Sequence, residues 1–242
     1  MMPPPRDDDH YGIRADYRHN LVQSTFDATG DPLYWNGSRL ENAAVFQYDV
    51  YALAAGLVRQ RNCKALLDVG SGPPVKLKAL MPDGLDICLV DQPNTAPLAK
   101  EILPKAAFFG ANLEQDFPVI DRKFDLVLCA DVIEHLIAPD PCLDFIRRHL
   151  AQDGLLLIST PERNALRGKN CAYSPHPMHV REWSFDEFRR FLVSRNLEII
   201  EHLLLPQQRT DPVRRTYGRL MAAFRLPPAW YSCQLAICRV RG

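Results

Sequence analysis

Leu66-Leu67-Asp68-Val69-Gly70-Ser71-Gly72-Pro73-Pro74 decides the fold. An apolar run closing on Asp-x-Gly-x-Gly reads as a buried strand entering a tight turn, where glycines let a ligand approach the backbone. A dinucleotide site also uses a third glycine and the free N–H groups of a helix N-terminus, which hold the pyrophosphate. Pro73 and Pro74 stand where those donors belong, and proline has no N–H to give. The turn therefore suits an adenosine-bearing ligand without phosphates, of which S-adenosylmethionine is the common one.

Outward from this turn the pattern alternates. Strand-like apolar runs fall at 65–69, 86–90, 106–111, 124–130, 154–159, 197–204 and 232–240. Helical periodicity falls at 42–61, 75–80, 96–103, 143–150 and 185–194, the last capped by Ser184 or Asp186. Strands alternating with helices predict an α/β, doubly wound, mostly parallel sheet with helices on both faces. Residues 1–40 carry the turn signals Gly30-Asp31-Pro32 and Asn36-Gly37 and are expected to form a mobile or loosely docked N-terminal arm. Residues 41–242 form the main domain, with 206–230 as an arginine-rich insertion before the last strand. Arg209, Arg214, Arg215, Arg219 and Arg225, interleaved with Tyr217, Phe224 and Trp230, are the candidate basic patch. They read as a solvated helix face or as a clamp on an acceptor phosphate or carboxylate. With Leu220, Met221 and Leu226, the segment reads alternatively as an amphipathic surface.

A chain of 242 residues can bury one substantial core. Its 29 basic and 29 acidic residues cancel, so no general field draws it to nucleic acid or to an anionic membrane. The start, Met1-Met2-Pro3-Pro4-Pro5-Arg6-Asp7-Asp8-Asp9, lacks the apolar core of a signal peptide. No apolar run approaches the ~20 residues that span a bilayer. The seven cysteines include no Cys-x-x-Cys pair, and Cys88, Cys129, Cys233 and Cys238 sit inside apolar runs. They read as reduced core residues of a cytoplasmic protein.

In a doubly wound sheet the ligand lies outside the carboxyl ends of the strands, where strand order reverses. Asp68 and Gly70 to Gly72 end the first strand. Asp91 ends the second, about twenty residues after the glycine turn, where a carboxylate can take both ribose hydroxyls. Asn112 follows the third strand; its amide reads either as a partner for the adenine edge or as an Asx-turn that ends the strand. The fourth strand runs out as Phe124-Asp-Leu-Val-Leu-Cys-Ala-Asp131-Val-Ile-Glu134-His135-Leu136.

These motifs, together with Leu150-Ala-Gln-Asp-Gly-Leu-Leu-Leu-Ile-Ser-Thr-Pro161, resemble the class I S-adenosylmethionine-dependent methyltransferases, of the type 11 and type 12 kind. The resemblance runs through residues 65–205 in order and departs from the pattern at Pro73-Pro74. It implies a Rossmann-like sheet of seven strands with the last antiparallel between its neighbours. It also implies that Gly70 and Gly72 flank the methionine portion of S-adenosylmethionine, that Asp91 holds the ribose and Asn112 with Leu113 the adenine, and that Asp68, Ser71 and Gln92 belong to the same cofactor site. Ala130 and Asp131 complete that implied cofactor set.

The elements Ser159-Thr-Pro-Glu-Arg163 and His179-Val-Arg-Glu-Trp183 are similar to bacterial methyltransferases of glycan and surface-polysaccharide pathways, and more distantly to quinone-biosynthesis O-methyltransferases. A narrower likeness is to small-RNA terminal 2′-O-methyltransferases, which bind a divalent metal through Glu-x-x-Glu-His and a histidine four residues before a tryptophan. The matching positions are Asp131, Glu134, His135 and His179, an implied set for Mg²⁺, Mn²⁺ or Zn²⁺, with Asp where that family has Glu.

Methyl transfer to oxygen needs an aligned acceptor and a base of near-neutral pKa, for which His135 or His179 is the candidate and Glu134 the orienter or second base. The expected activity is O-methylation of a saccharide or another small hydroxylated metabolite. The alternatives are a metal-dependent RNA 2′-O-methyltransferase and a non-catalytic cofactor-binding scaffold.

Overall fold

The most apolar strands take the middle of the sheet. β1 (Ala65–Val69) and β4 (Phe124–Ala130) pair in parallel, and Leu66, Leu67, Leu126, Val127 and Leu128 are fully buried. Strands covered on both faces require such unbroken apolar runs. With β2 (Asp86–Asp91), β3 (Ala107–Gly110), β5 (Leu150–Pro161), β6 (Leu197–Leu205) and β7 (Cys233–Val240), they form one seven-stranded sheet in the order β3-β2-β1-β4-β5-β7-β6. β7 runs antiparallel to both β5 and β6, and every other pair is parallel. The Rossmann-like architecture is the one expected. The computed structural model describes residues 11–21, 37–223 and 228–241.

The helices, in chain order, are α1 (Gly37–Val45), α2 (Tyr48–Arg61), α3 (Val75–Leu80), α4 (Ala96–Ile102), α5 (Asp140–His149), α6 (Arg163–Arg167), α7 (Phe185–Ser194) and α8 (Pro212–Ala223). Because side chains alternate across a strand, Leu66, Leu126, Leu128 and Leu157 pack with α2, α3 and α4 on one face. Leu67, Val127, Cys129 and Ile158 pack with α5 and α7 on the other. Among the described residues no helix is long and apolar enough to cross a membrane.

Three expectations are corrected. The single helix at 42–61 is two helices, broken at Gln47, whose φ of 51° is left-handed. The break is held by contacts outside the helix: the Gln47 side-chain amide donates to Asp131 Oδ2 at 2.8 Å, and its N–H donates to Gln207 O at 3.0 Å.

The N-terminal arm, where described, is packed into the core instead of loosely docked, and α1 begins inside it. Ile13 and Tyr17 are buried in the α5–α7 core. Arg14 donates to Lys169 O and Cys171 O, Arg18 N to Ala172 O, and Asn20 N to Val180 O. The Gly30-Asp31-Pro32 turn lies outside the described residues.

Among the described residues, the arginine-rich segment does not present a single basic patch. Arg209 stacks 4.5 Å over the Tyr48 ring and Arg215 lies 3.5 Å from Asp49, so these two fasten the segment to the start of α2. Arg214 pairs with Asp211 at the surface, and Val213, Tyr217 and Leu220 of α8 are exposed. Phe224, Arg225, Leu226 and the side chain of Arg219 lie outside the described residues.

The Tyr17 hydroxyl, 2.9 Å away, accepts the N–H of Glu182 in the buried interior. Tyr17→Phe leaves that N–H without its partner and should cost about 1–3 kcal/mol in urea denaturation. An unchanged midpoint would show that the docked segment adds no stability through this contact.

Candidate active site

The glycine turn is rigid for steric reasons. Gly70 has φ +75°, and a Cβ there would stand 2.3 Å from Val132 Cγ2, so no other residue fits. Beyond Gly72 the prolines act as expected: Pro74 precedes α3, and the Val75 N–H turns back to Pro73 O at 2.8 Å. The start of the helix therefore offers none of these three N–H positions to a phosphate.

Asp91 is tied directly to this turn. Its Oδ2 accepts from Gly72 N at 2.6 Å, and its Oδ1 accepts from Gln92 N at 2.6 Å and Thr95 Oγ1 at 3.2 Å. Burial raises its pKa against the pull of those three donors. At the next strand end, Asn112 Oδ1 accepts from Glu114 N at 3.0 Å, which is the Asx-turn reading, and the Asn112 amide nitrogen is the group left for a base edge. Leu113 packs half-buried against the core beside it.

A cavity of about 300 Å³ opens above the turn, lined by Gln47, Tyr51, Gly70 to Pro73, Lys76 and Ala130 together with α1 residues. Asp68 and Lys76 place opposite charges around Tyr51. The Tyr51 hydroxyl donates to Asp68 Oδ2 at 2.9 Å, while Asp68 Oδ1 is buried with no hydrogen-bond partner. Burial lifts Asp68 to about 7 despite Tyr51 and Lys76. Lys76, only 8 % exposed, donates to Ala43 O at 2.7 Å and lies 4.5 Å over the Tyr51 ring. Burial lowers it to about 8, against the attraction of Asp68 and Asp131. Sequence reasoning missed Lys76. Its signal was a lone cation on the buried face of the helix that follows the prolines.

Asp131 closes β4 with a φ of 54°, left-handed like that of Gln47. Its carboxylate is fully engaged, Oδ1 by Ser159 Oγ at 2.7 Å and Oδ2 by Gln47 Nε2 at 2.8 Å. Burial raises its pKa. Two bonded non-glycine residues in that conformation store backbone strain beside the cavity.

The second half of the site begins at the turn Ile133–His135. Glu134 is fully buried. Its Oε2 accepts from Thr160 Oγ1 at 3.1 Å, but Oε1 has no hydrogen-bond partner and lies 4.0 Å from His135 Nε2. Burial and the nearby Asp131 push the Glu134 pKa well above the carboxylate range.

His135 Nδ1 lies 2.8 Å from Met178 O, which can only accept, so Nδ1 carries the proton and Nε2 the lone pair. His179 Nδ1 lies 2.7 Å from Glu182 Oε1, and the rings of His135 and His179 meet edge-on at 4.8 Å. Burial first, then His179, lowers His135 to about 4.

Glu182 is the residue that motif reading missed, signalled only by the His-x-x-Glu spacing. It also accepts from Ser174 Oγ at 2.8 Å and from Arg167 Nε and Nη2, each at 3.2 Å. Burial alone would raise it, yet the bonds from His179 and Arg167 hold it down to about 2.

Of the expected metal set, Glu134, His135 and His179 converge, with potential ligand atoms within 4.8 Å of one another. Asp131 is not part of that group; its two oxygens accept from Ser159 and Gln47 instead.

A family profile described as a methyltransferase domain matches residues 46–202. The chain belongs to that family. This methyltransferase is 26 % identical over 147 residues to the mitochondrial ubiquinone biosynthesis O-methyltransferase of Schizosaccharomyces pombe, covering 55 % of this chain and 53 % of that protein. It thus spans about half the length of that curated relative. Among solved structures, it resembles the plantazolicin methyltransferase BamL with a TM-score of 0.60 and 14 % identity, over 84 % of this chain and 87 % of that one. The Burkholderia thailandensis 1,6-didemethyltoxoflavin-N1-methyltransferase, solved with S-adenosylhomocysteine, gives 0.59 and 18 % over 87 % and 84 %. At such identities these two likenesses establish the fold, while the family match makes the chain an S-adenosylmethionine-dependent methyltransferase.

Gly70→Ala should destabilise this methyltransferase by about 1–3 kcal/mol through backbone strain and the clash with Val132. Adding Val132→Ala removes the clash but not the left-handed φ, so thermal melts should show partial recovery. Full recovery would mean that the turn does not require glycine conformation.

Proposed function

We propose that this methyltransferase transfers its methyl group to a hydroxyl of a small molecule, a saccharide or a comparable metabolite. The observation that carries the reading is the His179–Glu182 pair standing beside His135, at the end of the strand next to the glycine turn. The S. pombe relative is named for an O-methylation, which supports oxygen as the acceptor atom. The balanced charge of the chain supports a small molecule over RNA.

The cofactor side fits a zwitterion without phosphate. Asp68, with its unpartnered Oδ1, would hold the ammonium of the methionine portion, and Lys76 its carboxylate. Ser71 and the flanking glycines line the same cavity, with Ala130 opposite and Asp131 fixing the Gln47 wall. Asp91, oriented by Gly72, Gln92 and Thr95, keeps lone pairs for ribose hydroxyls, and Asn112 with Leu113 would meet the adenine. S-adenosylmethionine would supply a methyl group on a sulfonium, from which a neutral thioether leaves readily.

The protein then has to align the acceptor and take its proton. Glu182 is ionised and fixes the His179 tautomer, so His179 Nε2 receives the hydroxyl proton and Glu182 stabilises the imidazolium that forms. His135, held neutral, packs edge-on against His179 and would fix where the acceptor sits by contact. Glu134 lies beside them with an uncommitted oxygen.

A second reading rests on that oxygen. Glu134, His135 and His179 form a two-histidine, one-carboxylate set, and Met178 O and Glu182 fix the two tautomers as outer partners do in metal sites. A divalent ion there would lower the pKa of a coordinated hydroxyl.

Two measurements test these readings. S-adenosylmethionine should raise the melting temperature and NAD should not. Lys76→Met should weaken S-adenosylmethionine about tenfold or more while leaving its decarboxylated analogue unaffected. An equal loss for both would make Lys76 purely structural. In the wild type, affinity should fall as pH rises through about 8, where Lys76 loses its charge, relative to a Lys76→Met control.

Labelled methyl transfer into a metabolite extract separates base from metal. His179→Ala should abolish it in either case. A chelator should leave the wild type unaffected under the acid–base reading, whereas loss restored by Mg²⁺ or Mn²⁺ would establish the metal.

A further inference from the structure

A second cavity, of about 460 Å³, lies between the docked N-terminal segment and the loop after α6, and includes Arg18, Arg167, Asn170 and Tyr173 in its lining. We propose that it binds an oxyanion, carboxylate or phosphate, carried by the methyl acceptor. This deepens the small-molecule reading above and rests on it for the identity of the acceptor.

The charge balance of the cavity favours an anion. Arg18 is exposed, with its guanidinium 5.2 Å over the Tyr173 ring. Arg167 spends Nε and Nη2 on Glu182, which leaves Nη1 outside that pair. The nearby carboxylates are already committed: Asp16 pairs with Arg14 at 3.1 Å, and Glu182 is fully buried among Arg167, His179 and Ser174. Two guanidinium groups facing one small space are the usual protein answer to a planar carboxylate or a phosphate.

The cavity wall is also built, not incidental. Arg14 donates to Lys169 O at 2.8 Å and to Cys171 O at 2.7 Å, and the Arg18 N–H donates to Ala172 O at 2.7 Å. These bonds set the loop before any ligand arrives, which reduces the ordering cost of binding.

The link to the chemistry is a single atom. Glu182 Oε1 accepts from Arg167 at 3.2 Å and from His179 at 2.7 Å, so the cation of the cavity and the base of the active site share one anchor. Ser174, on the same oxygen, stands next to Tyr173 and Pro175 of the cavity wall. An acceptor whose oxyanion is held by Arg18 and Arg167 would be anchored one carboxylate away from His179. The Tyr173 ring, 51 % exposed, offers a face on which a sugar or aromatic ring of that acceptor can lie.

The test uses the full chain saturated with S-adenosylmethionine and titrated, at constant ionic strength, with phenyl phosphate, benzoate and benzyl alcohol, read by calorimetry. At least one anion should bind and the alcohol should not; preference between the anions assigns phosphate or carboxylate. Arg18→Glu should weaken the anion about tenfold or more and leave the thermal shift with S-adenosylmethionine unchanged. Arg18→Gln should act in the same direction and serves if the glutamate variant does not fold. Failure of both anions to bind, or equal binding by the variants, overturns the site. Anion binding lost in the variant, in a protein that S-adenosylmethionine does not stabilise, would support the subsite and overturn the cofactor reading instead.

Discussion

The half of the site around His135 and His179 depends on one buried carboxylate. Removing an ionised glutamate from water is costly unless every lone pair finds a donor. Glu182 meets that demand with His179, Ser174 and both ends of the Arg167 fork, while its own N–H is taken by Tyr17. The N-terminal segment, α6, the 168–182 loop and His179 are thereby held in one arrangement. None of these pieces could hold it alone: α6 has five residues and the loop has no regular structure. The charge that fixes the local fold is also the charge that sets the tautomer of His179.

On the cofactor side the logic is reversed, because charge is left incompletely matched. Asp68 has one partner for two oxygens, and Lys76 has a carbonyl and an aromatic face. Their pKa values, about 7 and about 8, have moved toward each other under burial. A folded protein tolerates such a pair where a ligand of opposite charges completes it.

The sheet was legible because its signal is local. β1 and β4 have the boundaries read from their apolar runs, which Asp68 and Asp125 interrupt only once each. The first capping alternative, Ser184, is the one adopted, with Glu187 reaching back to its N–H. The break at Gln47 was illegible, because a periodic apolar face continues across it and the cause is a bond to Asp131, far along the chain. Glu182 and Lys76 were missed for the same reason: a charged residue gains a role from what buries it, and burial is tertiary. Asp131 shows the converse, a motif position whose carboxylate neighbours had already claimed.

Pro73 and Pro74 have a meaning beyond the phosphate they turn away. Each ring fixes one backbone torsion, so this turn has fewer conformations to lose on folding and fewer again on meeting a ligand. Most nucleotide loops rely on glycine for reach and accept the entropy that comes with it. Here glycine is confined to the two positions with left-handed backbone, Gly70 and Gly72, and the rest of the loop is stiffened. A ligand at this turn would meet a loop with little freedom left to lose, so that a greater share of its contact energy can appear as affinity.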